Sequence, residues 1–205
     1  RPIEHFESCG WGSDRSWVAH CIYPSGAEIA RMGGWGTGVA HCPSSNMMIG
    51  GGGIAPVSDY RAAGVPVGLG CDGSASTDCA SLWLEARGAL LLARQRSGPT
   101  SFTARDALEL ATRGSAACLG RLGELGVLAA GAVADLVAWK LDGLTFAGAL
   151  TDPVEALLRC GPTRAHHTVI AGRPLVEDGE LRVTGLADVL ARHRVAAARL
   201  QGIEL

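Results

Sequence analysis

The chain has 205 residues, of which 47% are hydrophobic and 19% charged, with a formal net charge of −2. That balance builds a core and excludes an intrinsically disordered chain. Without a Lys/Arg cluster it carries no footprint for nucleic acid, and no apolar run approaches a membrane span.

Seven cysteines, an odd number, fall inside apolar or helical segments, as at Cys21, Cys71 and Cys118. A disulfide framework is therefore not expected, and a reducing cytoplasm is. The opening, Arg1-Pro-Ile-Glu-His5, shows no initiator Met, signal peptide, helix cap or strand start, so the pattern is expected to begin upstream. Residues 16–21 (SWVAHC) read as a short strand. Ser25 and Glu28 form a capping box for a helix to about Met32. Residues 37–41 (TGVAH) form a second strand, and residues 42–53 a glycine-rich loop. A helix from Pro56 to about Ala63 and a third strand at 65–70 (VPVGLG) follow. Continuously apolar strands alternating with helices mark a parallel sheet covered on both faces.

Next come a helix over about 79–96 and one started by Thr103 and Asp106, reaching about Arg113. From Ala134 the pattern turns β-rich, with strands at 134–139, 168–171, 174–177 and 181–183 and a hairpin turn at Asp178-Gly179. Asp152-Pro153 opens a helix to about Cys160, and an Ala/Leu/Arg helix covers about 186–200.

His20, His41 and Asp72 each end one of the three successive strands. In parallel α/β barrels the active site lies at that end, and imidazole and carboxylate both bind zinc-class ions and move protons. Each also has a structural reading: a hydrogen-bonding histidine, or an Asp-Gly turn. Adjacent His166 and His167 are expected to face opposite sides of a surface strand and so not to share a metal, and Glu85 and Arg87 to form an ion pair.

At these residues the sequence resembles the amidohydrolase superfamily, in its cytosine-deaminase-like and chlorohydrolase-like branch. Within that branch it is most similar to 8-oxoguanine deaminases and hydroxyatrazine ethylaminohydrolases. The resemblance is carried by Val18-Ala-His20-Cys21, His41-Cys-Pro-Ser-Ser-Asn46 with Gly53-Ile-Ala-Pro56, and Gly70-Cys-Asp72-Gly-Ser-Ala-Ser76. Asp152-Pro-Val, Ala171-Gly-Arg-Pro and Glu177-Asp-Gly add the small β-domain of the branch.

The resemblance implies the C-terminal part, about strands 6–8, of a metal-dependent (β/α)8 TIM barrel, with part of a composite β-domain. The expected division is barrel over residues 1–125, β-domain segment with an inserted helix over 126–184, and terminal helix over 185–205. Asp72 matches a ligand of one divalent metal, zinc in most relatives, and shares the catalytic work with His20. His20 and His41 match substrate-contacting positions, while Ser74 and Ser76 would orient the Asp72 loop. Ser44, Ser45 and Asn46 are expected to hold their own loop. The remaining metal ligands, His-x-His and a fifth-strand His with its Glu, are absent from these residues. Two departures stand out: Ile22-Tyr23-Pro24 replaces a second histidine, and the glycine run 50–53 is long.

The implied activity is hydrolytic deamination of a cyclic amidine, 8-oxoguanine or a related purine, with a hydroxylated triazine as alternative substrate. A decayed, non-catalytic barrel serving as a binding or assembly module is the competing reading. The implied partner is a small heterocyclic substrate rather than nucleic acid or membrane, and the full-length parent is expected to form a homo-oligomer.

Overall fold

Proline at the first helical position and an acid in the first turn both favour a helix start. Such a helix, α1 (Pro2–Ser8), opens the computed structural model, which describes residues 1–77 and 79–203. The terminal ammonium bonds Glu4 Oε2 at 2.9 Å. The expectation of an opening without a helix start is thereby corrected. Strand β1 (Trp17–Ala19) leads to α2 (Gly26–Trp35). The capping box of α2 forms as read: Glu28 N–H donates to Ser25 Oγ at 3.3 Å, and Ser25 N–H to Glu28 Oε2 at 2.7 Å. After β2 (Gly38–His41) the segment read as a loop begins instead with a helix, α3 (Pro43–Met48), opened by Pro43. Helix α4 (Val57–Ala62) and strand β3 (Val67–Leu69) complete the alternating region.

Strands β1, β2 and β3 pair in parallel in that order, with Val18 opposite Val39 and Val39 opposite Val67. Val39 on the central strand, Met32 on α2 and Tyr60 on α4 are wholly buried. The Tyr60 hydroxyl donates to the Cys21 carbonyl. Two glycines permit close packing here. An added Cβ at Gly33 would stand 2.0 Å from the Ala63 carbonyl oxygen, and at Gly114 2.0 Å from that of Val67.

Helix α5 (Leu82–Ser97) starts at its Ser81 cap, and α6 (Ala104–Glu109) at the Thr103–Asp106 pair. The latter continues through a π-helical turn, Leu110–Gly114, into α7 (Ser115–Cys118), beyond its expected end. The widened turn brings Ser115 Oγ to the Leu110 carbonyl, 3.0 Å away, while the hydroxyl accepts the Leu69 N–H at 3.1 Å. One side chain thus ties this helix to the outer edge of β3.

Strand β4 (Leu136–Trp139) belongs to a second unit, and α8 (Pro153–Arg159) to the first, which comprises Arg1–Val133 and Leu141–Thr163. Helix α8 packs on α5 and α6. Arg87 on α5 donates to the carbonyls of Leu158 at 2.6 Å and Arg159 at 3.1 Å. Glu85 instead accepts the Ser44 N–H at 2.9 Å. The expected Glu85–Arg87 pair does not form, because residues two apart on a helix do not face each other.

The second unit joins β4 to β5 (Ala165–Ile170), β6 (Arg173–Glu177) and β7 (Glu180–Leu181) in an antiparallel sheet of that order, followed by α9 (Leu186–Gln201). Ala138 lies opposite His167 and Trp139 opposite Ala165, so His166 is an extra residue, a β-bulge. Strict alternation fails there. The rings of His166 and His167 lie 4.5 Å apart on one side, correcting the expectation that they face opposite ways. Among the described residues no helix is long and apolar enough to cross a membrane.

Candidate active site

Parallel pairing sends the chain out of all three strands at the same end of the sheet. His20 is the first residue past β1, His41 the last of β2, and Asp72 lies three residues past Leu69. His20 and Asp72 leave their strands in the left-handed conformation, at φ +62° and +61°. For a residue with a Cβ that geometry costs roughly 1–2 kcal/mol. It turns both side chains out of the pleat toward one another, and His20 Nε2 stands 3.6 Å from Asp72 Oδ2.

Helix α3 supplies the partners that hold them. Asn46 Oδ1 lies 2.8 Å from His20 Nδ1, so the ring donates there and its neutral form presents a bare Nε2 lone pair. Ser45 Oγ donates to Asp72 Oδ2 at 2.5 Å and Ser76 Oγ at 2.9 Å, while Gly73 N–H donates to Oδ1 at 2.7 Å. These bonds, that from Ser45 foremost, hold the Asp72 carboxyl down to about 2, with a smaller contribution from His20. Asp72 is therefore an acceptor-only carboxylate at neutral pH.

Ser76 touches Asp72; Ser74 sits exposed in the same turn and supplies none of these bonds. His41 is 1% exposed, and burial, followed by the charge of His20, pushes its imidazole down to about 4. It is neutral near pH 7, and its Nδ1 finds no partner among the described residues.

Ser45 and Asn46 were expected only to shape their own loop. They act on His20 and Asp72 directly because the first turn of α3 starts two residues past His41. Polar side chains in the first turn after a strand-end histidine are the signal that would have found them. Glu85, wholly buried, fixes the start of α3 through the Ser44 N–H. The two sequence departures meet in one place: Tyr23 OH donates to the Gly51 carbonyl at 2.5 Å. A Cβ at Gly53 would stand 2.8 Å from both Ile22 and Tyr23, so the glycine run packs directly against these two residues.

Can these residues hold a divalent ion? Asp72 Oδ2 and the lone pair of His20 Nε2 are two acceptors separated by 3.6 Å. Two acceptors facing across that gap need a proton, a water or a cation between them. A lone carboxylate with one imidazole falls short of the three or more protein ligands of a catalytic zinc site. The donor chemistry fits a metal, and the ligand number requires residues beyond these.

The amidohydrolase family model matches residues 2–174. The chain is 48% identical over 200 residues to an 8-oxoguanine deaminase of Pseudomonas aeruginosa, covering 98% of this chain and 44% of that protein. It is 37% identical over 190 residues to a hydroxydechloroatrazine ethylaminohydrolase of a Pseudomonas species, covering 88% of this chain and 38% of the relative. Among solved structures, an atrazine chlorohydrolase from Arthrobacter aurescens complexed with zinc superposes with a TM-score of 0.88 at 38% identity. That match covers 95% of this chain and 43% of the other. The chain thus spans less than half the length of the relatives it matches. Nearly its whole length carries the likeness, and it belongs to the amidohydrolase family.

Proposed function

We propose that this chain is the carboxyl-terminal part of a metal-dependent hydrolytic deaminase, supplying strands 6–8 of a (β/α)8 barrel. Its substrate is a cyclic amidine, 8-oxoguanine or a related purine. The observation that carries this reading is the approach of His20 Nε2 to Asp72 Oδ2 at the shared end of three parallel strands. The likeness to an 8-oxoguanine deaminase over 98% of the chain supports the substrate class.

In this reading Asp72 is the one metal ligand within residues 1–205, and a longer parent supplies the imidazoles. When bound, a zinc-class ion supplies the Lewis acidity that makes water nucleophilic near neutral pH. Every other role falls to side chains. Asp72, ionised by its three hydrogen bonds, accepts a proton from the attacking water. His20, oriented by Asn46, shares that proton through Nε2, 3.6 Å from Asp72 Oδ2, and so donates a hydrogen bond to the developing oxyanion as the ring carbon becomes tetrahedral. The proton then passes to the exocyclic nitrogen, the C–N bond breaks with release of ammonia, and the second water proton ends on the ring nitrogen, so that the ring keeps a carbonyl in place of the amine. His41, buried and neutral, ends the central strand of the three.

A triazine substrate is the second reading, favoured by the structural likeness at a TM-score of 0.88 to the atrazine chlorohydrolase. One experiment separates the two. The longer parent is expressed, its zinc measured, and ammonia or alkylamine release screened across 8-oxoguanine, guanine, isocytosine and hydroxyatrazine. Purine turnover supports the first reading, and hydroxyatrazine turnover alone the second. A zinc-loaded parent inert to all four overturns both. Asp72→Asn should abolish turnover together with any metal held at the strand ends, and full activity in that variant would refute the role of Asp72.

A further inference from the structure

We propose a second divalent-cation site, of the zinc class, on the antiparallel sheet, formed by His166, His167 and Asp178. It uses no residue of the candidate active site. Two adjacent strand residues ordinarily point to opposite faces. Here the bulge at His166 removes that obstacle, since the extra residue re-aims its side chain to the side of its neighbour.

The third donor comes from the hairpin between β6 and β7. Asp178 and Gly179 are its two central residues, both with positive φ (+53° and +81°), between the paired Glu177 and Glu180. That is the tight turn that matches strand twist. It is pinned against the bulge by the Gly179 N–H, which donates to the His166 carbonyl at 2.9 Å. The Asp178 carboxylate then lies within reach of both rings, Oδ1 standing 3.5 Å from His166 Nε2 and 3.9 Å from His167 Nε2.

One donor atom from each residue falls within 4.8 Å of the others. Metal–ligand bonds of about 2.0–2.2 Å set donors about 3.3 Å apart around a tetrahedral zinc ion. The donors must draw inward to reach that spacing, and the partly exposed side chains leave room to rotate. The side chains are 30%, 44% and 76% exposed, so an ion reaches them from solvent and water completes the shell. Two imidazole nitrogens with one carboxylate oxygen select a borderline ion over magnesium or calcium, which prefer all-oxygen shells. An imidazolium salt-bridged to Asp178 is the alternative use of the same geometry.

Zinc ion alone is the probe. It is titrated into the protein by competition with a chromophoric chelator, while the ring nitrogens of His166 and His167 are followed by NMR. The expected result is one equivalent bound with both Nε2 signals shifting. Affinity should fall in His166→Gln, His167→Gln and Asp178→Asn by at least the roughly tenfold that losing even an outer partner of a ligand costs. Asp72→Asn should leave this equivalent in place, which also distinguishes it from any ion held at the strand ends. Unchanged affinity in His167→Gln and Asp178→Asn, or loss of the equivalent in Asp72→Asn alone, would overturn the site. So would unmoved ring signals at saturating zinc.

Discussion

Asp72 is controlled by neighbours more than by its own position, and Ser45 is the strongest of them. Its hydroxyl sits 2.5 Å from the carboxylate and leaves that oxygen a fixed direction. Replacing Ser45 by Ala in the longer parent should lower zinc affinity and turnover by roughly 10–100-fold while the fold survives; equal affinity by chelator competition would contradict it. His41 has a different signature. Its folded imidazole titrates at about 4 against an ordinary 6.5. Between those values the unfolded chain binds the proton more readily, so stability rises with pH there. Its contribution is complete above pH 6.5 and is lost as pH falls toward 4. Denaturant unfolding at several pH values should show that slope, and His41→Gln should flatten it. Glu28, held down to about 2 chiefly by the Ser25 backbone N–H, loses its contribution only below its ordinary 4.5. The two effects therefore separate on the pH axis.

Among the elements, legibility followed locality. The capping boxes at Ser25 and Thr103 depend on residues three apart, and both formed where read. Helix α3 was hidden because the run Gly50–Gly53 dominates the composition of its window, although Pro43 marks its start. The bulge at His166 and the π-helical turn before Ser115 were invisible for another reason. Each is a register shift decided by the facing strand or the packed edge, which no local pattern encodes. Strand ends bearing His20 and Asp72 were readable, and their hydrogen-bond partners on α3 were marked only by the polar residues that follow His41. Gly33 offers a test at this scale. Helix propensity alone makes Gly33→Ala stabilising by about 1 kcal/mol. The Ala63 carbonyl, 2.0 Å from the added carbon, reverses the sign. The expected loss is about 1–3 kcal/mol by thermal or denaturant unfolding.

At the scale of the molecule, the parallel sheet is narrow and uneven in its coverage. Its three strands leave β1 as an edge, with Trp17 and Ala19 exposed while Val39 on β2 is wholly buried. The His20 N–H bonds the Ala40 carbonyl, so by alternation the Ala19 N–H points to the open side. An open parallel edge invites further pairing. In the 205-residue chain alone the Trp17 and Ala19 amides should exchange with deuterium far faster than that of Val39. In a longer parent with a strand beside β1 they should become protected. Equal exchange in both would mean that no strand adds there.

The left-handed backbone at His20 and Asp72 bears on how this protein can be engineered. At both positions glycine would relieve the main chain but forfeit the side-chain bonds to Asn46, Ser45, Ser76 and Gly73, so neither His20→Gly nor Asp72→Gly is a free gain in stability. Either variant would keep the turn and lose the group that stands at the strand end. Any programme that ranks variants of this family by robustness must therefore assay turnover in the same round.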